Sequence, residues 1–306
     1  MDVLWERSVP IYKMSIGSML NIFRKFDNGI KINGYKLINV GARNSNYIVD
    51  TSLGKFFLRI CPEGSEGYRN ELVSYLLLKE RINIPRPLYV DNIGFTKYVI
   101  YEYINGVSLQ GVSLTEGMIT KIAEALGRIH NLKEEEYSKY KIFKFPPFKL
   151  WYDLFLDNEN LKMRLDDDII CRVKKLVSEK SNELEVIDSY KGYTHCDFRP
   201  SNMIIDKLGD IYYVDWEFSN YNHILGDIGQ FFREFNGRAI SSSILELFEE
   251  KYNGVSEVKL PKGWFDLAKL RDLVNPLQML GDDANAPRKY EDLKKIVIET
   301  LEYFGY

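Results

Sequence analysis

The spacing of apolar residues changes along the chain, and those changes divide it. Residues 11–26 place Ile11, Met14, Leu20, Ile22 and Phe23 among Lys13, Arg24 and Lys25, a spacing that predicts an amphipathic helix packed on the body. From 35 to 104 the pattern becomes that of short strands and turns. Tyr35–Val40 and Tyr47–Val49 flank Gly41-Ala42-Arg43-Asn44-Ser45-Asn46. Asp50-Thr51-Ser52-Leu53-Gly54 is a hairpin signal, answered by the partner strand Lys55–Ile60. Glu66–Arg81 reads as a helix carrying Leu72, Tyr75, Leu76 and Leu78, and Pro85 and Pro87 break the chain after it. Leu88–Val90 and Lys97–Tyr103 predict two more strands around an Asn92-Ile93-Gly94 turn. The first third is therefore expected to be a small antiparallel sheet with one inserted helix.

After Asn105-Gly106 the period becomes helical. Ile119–Asn131, Asp167–Glu185, Gly226–Phe235, Ser241–Tyr252, Trp264–Leu280 and Lys289–Phe304 are the expected helices, with a loop at Pro146-Pro147. Asn202–Asp206 and Asp210–Trp216 read as a strand pair in their midst. The fold class is α+β, with two lobes meeting near Glu102–Gly106: an N-terminal lobe over 1–104, including a helical extension over about 1–30, and a helical lobe over 105–306.

The strand pair carries the chemistry. His195-Cys196-Asp197-Phe198-Arg199-Pro200-Ser201-Asn202 precedes the apolar strand Ile211-Tyr212-Tyr213-Val214, which ends in Asp215-Trp216-Glu217. Phosphoryl transfer needs a carboxylate beside the attacking hydroxyl and hard oxygen ligands holding Mg²⁺ against the phosphates. Asp197 suits the first role; Asn202, five residues on, and Asp215, thirteen further, suit the second. Any one of these alone would read as a turn residue. The three in this order, flanked by apolar strands, point to catalysis.

This constellation resembles the aminoglycoside phosphotransferase and choline kinase-like superfamily, which shares the protein-kinase fold, and the resemblance covers nearly the whole chain. It implies a cytoplasmic small-molecule kinase using Mg²⁺ and ATP or GTP. Asn39-Val40-Gly41-Ala42-Arg43-Asn44-Ser45-Asn46-Tyr47 resembles the nucleotide-positioning loop, with Ser45 and Asn46 at the nucleotide and backbone N–H groups toward the phosphates. Arg59 stands where the family grips phosphate, a place where protein kinases use lysine; Lys55 is the less suitable alternative. Glu71 would orient Arg59, with Glu66 as its rival, and Leu72, Leu76 and Leu78 would anchor that helix to the sheet.

Tyr101-Glu102-Tyr103-Ile104-Asn105-Gly106 resembles the hinge between the lobes. The backbones of Glu102 and Ile104 are expected at the purine edge, and Tyr101 near the back of the base pocket. Gly226-Asp227-Ile228-Gly229 resembles a family segment in which Asp227 would cap the next helix and hold the catalytic loop; His195 would also be structural. By analogy Arg199 would steady charge developing on the γ-phosphate.

Eleven residues separate Asp215 from Asp227, too few for the segment that shapes a peptide groove in protein kinases. A compact hydroxyl-bearing acceptor is expected instead, with Glu217, Asp282 and Asp283 as candidates for contact with a cationic one. The substrate classes are aminoglycoside-like antibiotics, with a role in resistance, or metabolites of the choline, ethanolamine or homoserine type. A nucleotide-binding or coat-type protein without catalysis is the remaining alternative, and intact Asp197, Asn202 and Asp215 weigh against it.

Composition changes this picture little. With 45% hydrophobic and 28% charged residues and a net charge of −3, nothing advertises nucleic acid. Cys61, Cys171 and Cys196 are scattered, which argues against a disulfide framework or zinc site. The histidines His130, His195 and His223 are too few for a histidine metal site or a Ser-His-Asp triad to be expected. No apolar run approaches the roughly 18–20 residues of a membrane helix and no signal peptide is apparent, so no membrane partner is expected. The chain is expected to act as a monomer or homodimer.

Overall fold

The computed structural model describes residues 5–38, 41–140, 146–233, 235 and 240–306. Helix α1 (Ile16–Phe26) comes first, followed by strands β1 (Ile32–Ile38), β2 (Ser45–Thr51) and β3 (Gly54–Ile60). Helix α2 (Gly67–Leu78) then leads into β4 (Pro87–Ile93) and β5 (Thr96–Glu102). The five strands form one antiparallel sheet in the order β1-β2-β3-β5-β4. Alternation along β3 sends Leu58 and Ile60 into a core with Met19, Ile22 and Phe23 of α1. The same alternation turns Arg59 toward α2 and the cleft.

The expected helix over 11–26 begins only at Ile16. Ser15 caps it, accepting a hydrogen bond from Ser18 N, and the described residues 5–14 before it form no helix or strand. Tyr12 N donates to Ser45 Oγ, and Tyr12 O accepts from the Tyr47 hydroxyl. The strand expected to reach Val40 ends at Ile38; Asn39 and Val40 lie outside the described residues.

The second part opens with β6 (Gly106–Ser108) and helices α3 (Glu116–His130), α4 (Glu134–Tyr137), α5 (Phe148–Leu156) and α6 (Glu159–Arg164). The helix expected over 167–185 is broken at Lys180 into α7 (Asp167–Glu179) and α8 (Ser181–Asp188). Strands β7 (Lys191–Thr194), β8 (Met203–Asp206), β9 (Ile211–Tyr213) and β10 (Asn220–His223) follow. They form a β7·β10 pair and a small sheet ordered β6-β8-β9. The chain closes with α9 (Ile224–Arg233), α10 (Ser242–Val255), α11 (Trp264–Leu280) and α12 (Pro287–Tyr303). Among the described residues no helix is long and apolar enough to cross a membrane.

Helix α9 is the buried spine of this part, and every one of its residues is inside. It lies so close to α11 that a Cβ on Gly229 would stand 2.3 Å from Ala268 O and 2.7 Å from Asp272 Cβ. Small residues at this crossing let the two backbones meet, and the buried Arg233–Asp272 ion pair ties the same helices one turn on. The two lobes touch through polar side chains as well as core. Ser74 Oγ of α2 lies 2.8 Å from the Tyr193 hydroxyl and 2.9 Å from Ser219 Oγ, and Tyr213 N donates to Asn83 O.

His223, at the end of β10, is buried against Phe148 and Trp151. Its Nδ1 accepts from Arg271 Nε at 3.2 Å and its Nε2 faces Asp188 Oδ1 at 3.0 Å, so the neutral ring carries its proton on Nε2. Burial and the Arg271 guanidinium push His223 down to about 3. The contact with Asp188 is therefore a hydrogen bond rather than an ion pair. Asp188 also accepts from Phe148 N, supplying the cap that Pro147 cannot give α5.

Two stability predictions follow from these contacts. Gly229→Ala forces α9 and α11 apart and costs about 1–3 kcal/mol in spite of its better helix propensity, read from the urea midpoint. Below the ordinary histidine range the unfolded chain binds a proton at His223 that the folded chain does not, so stability falls as pH drops from about 6.5 toward 3. Between pH 6.5 and 5 this amounts to about 2 kcal/mol that a His223→Gln variant should lack.

Candidate active site

The site is built around a buried guanidinium. Arg59 Nη1 pairs with Glu71 Oε1 of α2 and, at 2.8 Å, with Asp215 Oδ1. The Tyr101 hydroxyl donates to the other Glu71 oxygen. Burial opposes the charge on Arg59, but Asp215, Tyr101 and Glu217 outweigh it and hold its pKa above the ordinary value. Arg59 and Glu71 are each over nine-tenths buried, while the Asp215 side chain keeps 31% of its surface exposed. The helix face that positions Glu71 is Tyr68, Glu71, Ser74 and Leu78. Leu76, expected to anchor that helix, is 58% exposed, because it lies on the opposite face of α2. Glu66, the rival acid, is the N-cap residue and pairs with Arg69.

Two polar atoms next to this cluster lack partners. Asn46 stands directly opposite Arg59 in the β2·β3 ladder, and neither Asn46 Oδ1 nor Arg59 Nε has a hydrogen-bond partner. A polar ligand on this side of the sheet would satisfy both. Ser45 is arranged differently: its hydroxyl accepts from Tyr12 N, so it fastens the N-terminal segment to β2.

The catalytic loop is clamped from below by α9. Asp227 Oδ2 accepts from His195 N at 2.8 Å and Oδ1 from Cys196 N at 2.9 Å. Asp227 lies inside α9, so its carboxylate serves the loop and does not cap the helix. Gln230, three residues later on the same face, accepts from Phe198 N and donates to Cys196 O. The i, i+3 spacing from Asp227 was the sequence signal for Gln230, which the motif reading passed over. His195 donates from Nε2 to Val214 O and accepts from Asp197 N at Nδ1, joining the loop to the strand before Asp215.

Among the described residues, Cys196 (φ 63°) and Asp215 (φ 69°) are the non-glycine ones with left-handed backbone. Each conformation costs about 1–3 kcal/mol and persists only where neighbours impose it. The turns they make bring Asp197, Asn202 and Asp215 together. Asn202 Nδ2 donates to Asp197 Oδ2 at 2.8 Å and to Asp197 O at 2.9 Å, while Asn202 O accepts from Val214 N. This orientation leaves the side-chain oxygen of Asn202 as a free hard ligand. Burial and the neighbouring Asp215 push the Asp197 carboxyl up to about 7. Glu217 is likewise raised, by burial and then Asp215. The Asp215 carboxylate with the Asn202 carboxamide oxygen beside it fits Mg²⁺ held by few protein ligands and by phosphate oxygens.

Arg199 forks onto Asp197, with Nε 2.7 Å from Oδ1 and Nη2 3.0 Å from Oδ2. Here its guanidinium holds the expected base. Glu217, expected near the acceptor, lies against the N-terminal lobe instead: its carboxylate accepts from Asn44 Nδ2 and its carbonyl from Asn70 Nδ2. Asp282 and Asp283 are already engaged. Asp282 pairs with Lys289 and accepts from the Tyr290 hydroxyl, and Asp283 accepts from Asn160. At the hinge, Glu102 N donates to Arg86 O and Ile104 O accepts from Gly106 N. The Glu102 amide is thus closed to a base, whereas the Ile104 N–H has no acceptor among the described residues.

Over 170 residues the chain is 25% identical to Ethanolamine kinase 2 of Homo sapiens, covering 55% of this chain and 43% of that one. It is 25% identical over 257 residues to the Protein LicA homolog of Metamycoplasma hominis, covering 84% of this chain and 91% of that one. The chain spans less than half the length of the first of these relatives. Among solved structures, a microcompartment-associated aminopropanol kinase superposes with a TM-score of 0.70 at 13% identity, over 94% of this chain and 95% of that one, and shares its protein-kinase-like fold. The model of the APH phosphotransferase enzyme family matches residues 34–272, and the chain belongs to that family.

Proposed function

We propose that the protein is a small-molecule kinase that transfers the γ-phosphate of ATP or GTP to a hydroxyl of a compact amino alcohol. The observation that carries this reading is the convergence of Asp197, Asn202 and Asp215 beside the buried Arg59–Glu71 pair. Asp197 orients the acceptor hydroxyl and takes its proton as the oxygen attacks phosphorus and the bond to the nucleoside diphosphate breaks. Arg199 fixes the carboxylate during that step. Asn202 and Asp215 would hold Mg²⁺, which supplies charge neutralisation at the phosphates when bound. Arg59 and Asn46 face the phosphate side of the cleft, and Ile104 N–H is the free hinge donor.

The acceptor class rests on the relatives' names and on charge. A polycationic antibiotic needs many free acids. Asp282 and Asp283, the acids that might have served, are bound to Lys289, Tyr290 and Asn160. That favours an ethanolamine- or choline-like acceptor over an aminoglycoside.

Nucleoside diphosphate release, measured with ethanolamine, choline, homoserine and aminoglycosides in parallel, tests the acceptor. An amino alcohol is expected to stimulate release most; stimulation by aminoglycosides alone overturns the class. In Asp197→Ala, transfer falls by about 10²–10⁴ while Mg²⁺-dependent nucleotide affinity stays near wild type. Asp215→Ala shows the reverse emphasis, losing the Mg²⁺ dependence of nucleotide affinity by calorimetry. Full transfer by Asp197→Ala removes it from the role of base.

A further inference from the structure

The segment Trp5–Ser8 crosses from one lobe to the other, and both of its anchorages are specific. At the C-terminal lobe, Trp5 Nε1 donates to Asp292 Oδ2 at 2.7 Å. The Glu6 carboxylate accepts from Arg288 N at 3.1 Å and Lys289 N at 3.3 Å. These are the first N–H groups of α12. Its own N-cap residue, Ala286, offers no side-chain acceptor, and Pro287 has no N–H. Glu6 therefore caps a helix 282 residues away in sequence.

At the N-terminal lobe the same segment grips the loop before β2. The Arg7 guanidinium donates to Gly41 O, to Arg43 O at 3.1 Å and to Asn44 O at 2.9 Å. Ser8 N and Val9 N both donate to Ala42 O, at 3.0 and 3.3 Å. Carbonyls of four consecutive residues are thus turned to one side. In a planar trans peptide the N–H of the next residue points opposite to the carbonyl. Pinning the carbonyls of 41, 42 and 43 aims the N–H groups of Ala42, Arg43 and Asn44 away from the segment. None of these three has an acceptor among the described residues. Row upon row of such N–H groups is what binds phosphate oxygens.

The family model matches 34–272, so the gripped loop lies within the family core while Trp5–Ser8 and α12 lie outside it. We infer that Trp5–Ser8 is an interlobe strap and that Arg7 is the positioning residue that holds the 41–44 loop with its N–H groups ready for the nucleotide phosphates. The strap references the loop to α12, so it fixes the loop's place relative to the catalytic lobe as well as its conformation. The inference deepens the proposed function and rests on it for the identity of the ligand.

The test is calorimetric titration of the full chain with Mg–ATP, without acceptor, for wild type, Arg7→Ala, Arg7→Lys and Trp5→Phe. Hydrogen exchange of peptides spanning 41–46 and the thermal midpoint are measured on the same samples. Arg7→Ala is expected to weaken Mg–ATP binding about tenfold and to speed exchange in 41–46, with the thermal midpoint little changed. Arg7→Lys, which keeps the charge but not the fork, is expected to recover part of the affinity. Trp5→Phe, which removes the N–H at the far anchor along with part of the ring, is expected to shift both readouts in the same direction by less. If Arg7→Ala does not fold, the Lys and Phe variants carry the comparison. Equal affinity and exchange in all four proteins overturn the strap while leaving the kinase reading standing. Failure of the wild type to bind Mg–ATP, and Mg–GTP titrated in its place, overturns the kinase reading and this role of Arg7 with it.

Discussion

The cleft depends on one buried cation. Arg59 is carried by a central strand, and its guanidinium meets Glu71 from α2 and Asp215 from the other lobe. Removing water from three charged groups is costly, and only their mutual pairing offsets it. The geometry therefore admits little slack: β3, α2 and the turn at Asp215 must come together, or a buried charge is left alone. The Tyr101 hydroxyl completes Glu71's partners, so the hinge strand is drawn into the same arrangement. Ser74, Tyr193 and Ser219 add a neutral polar seam between the lobes at the next turn of α2.

From Asp215 the constraint passes into the helical lobe. Left-handed backbone at Cys196 is unfavourable by itself, and α9 supplies what imposes it. Asp227 and Gln230 together satisfy the N–H groups of His195, Cys196 and Phe198 and the carbonyl of Cys196. That clamp works only if α9 is immobile, and its immobility comes from Gly229 meeting Ala268 across the α9–α11 crossing. A glycine with no chemistry is thus connected, through one helix, to the position of Asp197, the proposed base.

The same loop shows how charge is managed around a transfer site. Asp215 opposes ionisation of both Asp197 and Glu217, and Glu217 opposes that of Asp197. Arg59 and Arg199 moderate that repulsion from opposite sides, the first through Asp215 and the second through Asp197. An excess of negative charge remains, and it is the electrostatic reason that a divalent cation suits this place.

Much was legible in the sequence because it is local. The strand period over 35–104, the long amphipathic helices, and the order His195-x-Asp197, Asn202, Asp215 are properties of neighbouring residues, and hydrophobic spacing plus loop chemistry determine them. The pairing of Arg59 with Glu71 was an expectation from the family resemblance, with Glu66 as the rival, and the packed helix face chose Glu71. What the sequence did not reveal depends on residues far apart in the chain. The break at Lys180, the exposure of Leu76, the capture of Asp282 by Lys289 and Tyr290, and the turn of Glu217 toward Asn44 were each decided by tertiary contacts. The physical reason is that a polar side chain has several partners of similar strength within reach, and only the packed chain selects among them. Sequence by itself determined the family's elements and its candidate reacting groups; the tertiary structure alone decided which carboxylates remain free and which backbone amides are left facing the cleft.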